Sequence, residues 1–383
     1  MKTWITGGVI VAAAVLLAPT PLVAADLGGN CCADLEERIA ELEATVARKG
    51  NRKVTLTISG QVSKALLWHD IDGLPGANKF RVIDNSNSGT RLRIAGEAKA
   101  SQTLKVGFYV ELGFDETAGN LLGIGGFVDD VSVRHSAAWI ETAVGKLTIG
   151  KTSSATDGIV EVDLSAANIA SLPMSIEPLW SYSGLPSLGF GFLNPVPFDG
   201  GRAEIVRYDT PVLAGFQGSA AWGGGQTLSG DDLWDVALRY VGEFGGVRIA
   251  GGVGYRVENL DTFAAPETKT LAGSASMMHS ASGLFVTGAF GDQKDNPVFG
   301  DVQMWQLRGG LEKNITGIGA TTLFVEYGDH KLKDIDFDST FWGLGIVQQI
   351  DNAATDLFVS YRSYDIGGGF DAQVGMAGMR VKF

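Results

Sequence analysis

Several residue groupings in this chain have types that could do chemistry, and their spacing decides what each is worth. Gly145-Lys-Leu-Thr-Ile-Gly-Lys-Thr152 matches the glycine, four residues, Gly-Lys-Thr pattern of a phosphate cradle. Such a cradle follows a buried strand and opens a helix, whereas the residues between these glycines alternate polar and apolar as a strand does. A nucleotide site is therefore rejected. His69, His135, His279 and His330 fall in separate segments without metal-ligand spacing, and no serine, histidine and acid are grouped for nucleophilic catalysis. No enzyme activity and no cofactor are expected. Asp334, Asp336 and Asp338 resemble the start of a calcium loop but lack its glycine and closing glutamate. A solvated loop is the first reading of these aspartates and a weak surface calcium site the second. Cys31 and Cys32 are adjacent, a spacing that cannot staple a fold; free or mutually bonded thiols, a bond between subunits and lipid attachment stay open.

The grouping with the clearest chemistry is electrostatic. Thr152 to Gly201 is a long connection containing Asp157, Glu161, Asp163, Glu177 and Asp199, five prolines, and no lysine or arginine. Long connections without regular structure usually carry function. Folded into a wide barrel, this one would narrow it, and its carboxylates would face a basic wall across a transverse field. The wall candidates are Arg91 and Arg93, which are two apart and so share a face, together with Arg134, Arg207 and Arg239; Arg248, Arg308 and Arg362 also fall on inner faces.

The elements that must position these groups are alternating strands. Leu104, Val106, Phe108, Val110, Leu112 and Phe114 form one face of a run whose other face carries Lys105, Tyr109, Glu111 and Asp115. Charged groups on one strand face cannot sit unpartnered in a dry core, but a face turned to water inside a barrel satisfies them. Trp234, Val236, Leu238 and Tyr240 repeat the design, as do Trp305, Leu307, Gly309 and Leu311. The first run, Val54 to Trp68, is expected to slip phase at a bulge before Leu66. Phe216, Trp222, Tyr255, Phe290, Tyr327, Trp342 and Tyr361 fall on outer faces near run ends, where interfacial girdles belong. About sixteen strands can be placed, joined by alternating short turns and longer polar loops. The fold class is thus all-β, a transmembrane antiparallel barrel over residues 51–383. Its last strand, Phe370 to Phe383, sets Ala377, Met379, Val381 and Phe383 toward lipid and Arg380 and Lys382 toward water.

Composition and address agree with that reading. After residue 25 no apolar run reaches the roughly 18 residues of a membrane helix. Residues 1–25 have the basic start, apolar stretch and small-residue cleavage site of a secretory signal, an uncleaved anchor being the alternative. Residues 26–50 include a helical segment with Asp34 as cap and Leu35, Ile39, Leu42 and Val46 as a heptad seam, suited to self-association in the periplasm or to packing on the barrel. A formal net charge of -13 disfavours nucleic acid as a partner and motivates an expectation of weak cation selectivity.

Ala33 to Gly60, Arg91-Leu-Arg-Ile-Ala-Gly-Glu-Ala-Lys99, Gly150 to Gly158, Arg207-Tyr-Asp-Thr-Pro211 and the terminal Phe383 together resemble the outer-membrane general porins of alphaproteobacteria. The resemblance implies a homotrimer of sixteen-stranded barrels in the outer membrane, with lipid and lipopolysaccharide around it. It also implies passive diffusion of small hydrophilic solutes and a third outer loop, here 152–201, folded into the pore. Phe383 resembles the signal read by the barrel-assembly machinery. A substrate-selective channel on the same barrel and a structural outer-membrane tether are the alternatives.

Overall fold

Strict alternation along each strand puts apolar side chains on one face and charged ones on the other, and the structure turns the charged face inward. The computed structural model describes residues 53–72, 79–115, 130–171, 198–224, 232–259, 267–296, 300–335, 337–366 and 370–383. The signal and helical segments, Cys31, Cys32, Glu177 and Asp336 lie outside them.

The described strands form one antiparallel sheet. In chain order they are β1 (Thr55–Ile71), β2 (Lys79–Asp84), β3 (Arg91–Lys99), β4 (Lys105–Asp115), β5 (Asp130–Thr142), β6 (Gly145–Ser153), β7 (Arg202–Asp209), β8 (Phe216–Gly224) and β9 (Asp232–Phe244). Then follow β10 (Val247–Asn259), β11 (Thr268–His279), β12 (Leu284–Asn296), β13 (Gly300–Lys313), β14 (Thr321–Leu332), β15 (Phe337–Ile350), β16 (Thr355–Ile366) and β17 (Phe370–Lys382). The phosphate-cradle match is strand β6, as its alternation requires. From β3 on, each strand pairs with the next, and β17 closes on β1 from Gln61↔Lys382 to Ile71↔Ala372. Strands β2 and β3 lie one after the other along the same edge of β1, so the closed barrel has 16 staves, the second of them broken.

The two faces meet different solvents. Leu56, Ile58, Val62 and Leu66 of β1, Val106, Phe108 and Val110 of β4, Trp234, Val236 and Leu238 of β9, and Leu323, Val325 and Tyr327 of β14 are exposed on the outside. Asp235, Arg239, Gln306, Arg308, Glu326 and Arg362 are buried on the inside. In water this continuous apolar surface would drive aggregation; in a bilayer it is the contact surface, and the pairing of β17 with β1 closes the sheet there. Neighbouring strands stack aromatics on the outer face, with ring centroids 4.6 Å apart for Phe216 and Tyr240, 5.5 Å for Trp305 and Tyr327, and 5.5 Å for Trp342 and Tyr361. Among the short turns, Gly245 and Gly246 both take positive φ, +58° and +79°, the geometry a tight hairpin with matching twist demands.

Two details differ from expectation. Strand β1 does not slip: its even-numbered residues stay outward from Leu56 through Leu66, in unbroken register with β17. The bulge is in β5, where Glu111 pairs with His135 but Leu112 pairs with Val133. Arg134 is the extra residue, and both it and His135 thereby face inward. Of the aspartates in the calcium reading, Asp334 accepts from the Asp301 amide at 3.2 Å and Asp338 is ion-paired with Lys331 at 3.0 Å, while Asp336 lies outside the described residues.

Candidate functional site

After Ser153 the chain turns into the barrel, and its backbone polar groups need partners there. The inward faces of successive strands supply them. Arg207 of β7 donates to the carbonyls of Ser153 and Ser154 at 3.1 and 2.9 Å. The Asp235 carboxylate of β9 accepts from the amides of Ala155 and Thr156 at 3.1 and 2.8 Å, and Arg239 donates to the carbonyls of Ala155 and Asp157 at 2.7 and 2.9 Å. The Ser274 hydroxyl of β11 donates to the Ile159 carbonyl at 2.7 Å, and Ser276 accepts from the Leu164 amide at 3.0 Å. Glu312 of β13 accepts from the Ala166 amide at 2.8 Å, and Ser360 of β16 donates to the Ala170 carbonyl at 2.9 Å. Asn85, in the break between β2 and β3, donates to the Ile169 carbonyl at 2.9 Å. The described stretch of the loop from Ser153 to Ser171 therefore runs along the inner wall from β7 to β16 and reaches the broken stave at Ile169.

Its tightest fastening is ionic. The Arg308 guanidinium bonds Asp163 of the loop and Glu326 of β14 at 2.7 and 2.8 Å, with the Asn168 side chain at 2.7 Å and the Ser171 carbonyl as further acceptors. Glu326 also accepts from Arg362 at 2.7 Å, the Ser171 hydroxyl at 2.6 Å and the Gln306 amide at 2.9 Å. Every charge in this cluster has an opposite partner and fixed hydrogen bonds, the condition under which buried ions are tolerated. Apolar packing completes the seat, with Leu164, Ala167 and Ile169 against a patch that includes Leu67, Ile83, Phe324 and Val374.

The wall at the start of the barrel carries the opposite arrangement. Arg91 and Arg93 of β3 and Arg134 at the β5 bulge converge on one carboxylate, Glu111 of β4, at 3.8, 3.6 and 2.9 Å. The three arginine side chains are 13%, 22% and 20% exposed, while Glu111 is 2% exposed behind them. Arg93 also lies 4.7 Å over the Tyr109 ring, whose hydroxyl is bonded to Thr152 at 2.5 Å, so the wall is held in place. Arg202, at the foot of the returning loop, acts electrostatically on Arg91 and on Glu161.

The loop's own carboxylates divide into two sets. Asp163, expected beside the pore-lining acids, is instead sealed against Arg308. Asp157, Glu161 and Asp199 are half-buried on the loop's near side. Enclosure, and then the charge of Asp157, raises the Glu161 carboxyl to about 7; enclosure and Glu161 in turn raise Asp199. A raised carboxyl favours folding while protonated, and that contribution fades as pH climbs from the ordinary value of 4.5 through about 7. The same titration adds negative charge to the loop. Raising pH from about 5 to about 9 is expected to shift a salt-gradient reversal potential toward cations, and Glu161→Gln is expected to flatten that shift. An equally large shift in the variant would exclude Glu161 as its source.

Among the expected wall residues, Arg91, Arg93 and Arg134 stand together, whereas Arg207 and Arg239 are spent on loop backbone. Asp235, Glu326 and Arg202 were not singled out from the sequence. The first two sit on charged inner faces of strands whose alternation was legible, but their loop partners are about 80 and 155 residues away.

Comparison with known proteins follows this geometry. A family model described as Gram-negative porin matches residues 11–369. Among solved structures, the chain is similar to an anion-selective porin from Comamonas acidovorans (16% identity, 86% of this chain and 100% of that one, TM-score 0.63). It is also similar to Salmonella typhi OmpF in complex with daunomycin (12%, 88% and 99%, TM-score 0.60). A third likeness is to the trimer form of in-vitro folded OmpT, an outer membrane protein of Vibrio cholerae (14%, 86% and 99%, TM-score 0.57). No curated protein matches the sequence.

Proposed function

The chain belongs to the Gram-negative porin family, forming an outer-membrane channel for passive diffusion of small hydrophilic solutes, and we propose that loop 152–201 and the arginines of β3 and β5 form its constriction. The observation that supports this is the row of wall-to-loop hydrogen bonds from Arg207 to Ser360, which holds the described stretch 153–171 against the inner wall of the barrel whose β3 and β5 carry Arg91, Arg93 and Arg134. Asp157 and Glu161 line the loop side; Arg207, Arg239 and Asp163 set its position. Glu177 belongs to the same loop by sequence.

The working unit is a homotrimer set in lipid and lipopolysaccharide. A polar defect on the outer face supports this. Lys64, between the exposed Val62 and Leu66, is ion-paired with Asp84 at 3.3 Å. A partly exposed lysine on a face turned to acyl chains is costly even with the buried Asp84 behind it, and a neighbouring copy would cover it. The helical segment 26–50 lies in the periplasm after removal of residues 1–25, and Phe383 is read by the barrel-assembly machinery. Bilayer recording tests the constriction and the trimer together. With Cys31 and Cys32 replaced by serine, Arg93→Cys should lose conductance when a bulky methanethiosulfonate is added, and channels should close in three equal steps. Full conductance after confirmed labelling would remove Arg93 from the constriction, and single-step closure would refute the trimer.

A further inference from the structure

We infer that the constriction passes small anions in preference to cations, against the sign of the chain's overall charge. The inference rests on the channel reading and specifies its solutes. The chain's net charge of -13 says where protons are missing, not where the field falls. Five of the inward carboxylates are covered. Glu326 lies beneath Arg308 and Arg362, and Asp163 is sealed by Arg308. Asp356 is capped by Arg380 at 2.7 Å and Lys382 at 3.2 Å, Asp209 is paired with Arg207 at 2.7 Å, and Asp235 is consumed by loop amides. Each of these acids is matched locally, so little of its field reaches the lumen.

The arginine wall is the reverse. Three guanidiniums share one carboxylate, and the carboxylate is the buried partner. A solute passing β3 to β5 therefore meets planar donors with positive charge left over, the geometry that suits carboxylates and phosphates. Arg202 adds a further positive charge on the loop's return. Against these stand Asp157, Glu161 and Asp199, the last two weakened by crowding. Glu161 and Asp199 are hydrogen-bonded to each other through their side chains, and a carboxyl pair so close keeps one proton between them more readily than two charges. Arg239, bonded to carbonyls and to no carboxylate, stands beside Asp157 and offsets it. Among the described residues of this region the balance is positive, and positive charge in a low-dielectric wall selects anions.

The decisive experiment is the reversal potential of the full-length protein in a planar bilayer under a potassium chloride gradient. The expected sign is anion-selective. The Arg91→Gln/Arg93→Gln variant should lower the chloride-to-potassium permeability ratio by about twofold or more, while Arg91→Lys/Arg93→Lys should retain it. A cation-selective sign in the parent protein, or an unchanged ratio in the glutamine variant, overturns the inference. Should the glutamine variant fail to insert, the parent's sign still decides. A protein that conducts nothing would overturn the channel reading itself, a different result from conduction with the wrong sign.

Discussion

Glu326→Ala is expected to free the inward loop, widening the channel and destabilising the barrel. Glu326 is the shared anion of Arg308 and Arg362 and the acceptor for Ser171 and Gln306. Truncating it leaves two buried guanidiniums with one remaining carboxylate, Asp163. Breaking a buried ion pair from one side typically costs about 3 to 5 kcal/mol, comparable with a large part of a domain's margin. The stretch from Asp163 to Ser171 gives way first, because it loses its ionic fastening and keeps only the hydrogen bonds of Ser276, Glu312, Asn85 and Ser360, while 154–159 is held separately by Asp235 and Arg239. Single-channel conductance should rise and the size limit for neutral sugars should move upward. Unchanged conductance together with an unchanged melting temperature would show that the cluster does not hold the loop.

Gly60→Leu is expected to block barrel closure. The Gly60 amide donates to the Phe383 carbonyl at 2.9 Å, and the Phe383 amide donates to the Gly60 carbonyl at 3.1 Å, so this pair ties the chain's last residue to its first strand. The Phe383 ring lies where a side chain on Gly60 would go: a Cβ there would stand 2.6 Å from Cζ of the ring and 2.5 Å from the Arg91 carbonyl. The ring could swing aside, but the β3 backbone cannot. Deleting Phe383 removes the same two hydrogen bonds without a clash, and a smaller loss of assembled, heat-modifiable barrel is expected from it. Normal trimer yield from Gly60→Leu would mean that this seam is not needed for closure.

Much of this architecture was visible in the sequence because a barrel wall imposes its two solvents locally. Lipid outside and charge inside give a period of two that each strand carries by itself, so Leu323, Val325 and Tyr327 against Glu326 could be read without knowing their neighbours. The closing seam from Phe370 onward was legible for the same reason, and the inward course of the described stretch 153–171 fits what the length and charge of its connection suggest. Features that depend on a partner strand were not. Lys79–Asp84 is a strand only because β1 is long enough to pair with it and then with β3, and the run Asp84-Asn-Ser-Asn-Ser-Gly89 reads locally as loop. The bulge did leave a trace: Val131 and Val133 are outward at odd positions and Ile140 at an even one, so the phase must flip between them. In β1, where a slip before Leu66 is the expectation, Lys64 stands in the outer face paired with Asp84 and the register does not shift. Asp163 was misplaced because nothing local distinguishes it from Glu161; what separates them is Arg308, 145 residues away.

The central claim is a water-filled barrel narrowed by a loop fixed to its wall. Liposome swelling with a graded series of neutral sugars, parent protein beside Glu326→Ala, tests it most directly. The account predicts swelling rates that fall steeply with sugar size in the parent and less steeply in the variant. Absence of swelling with the smallest sugar, or identical size dependence in both proteins, would contradict it.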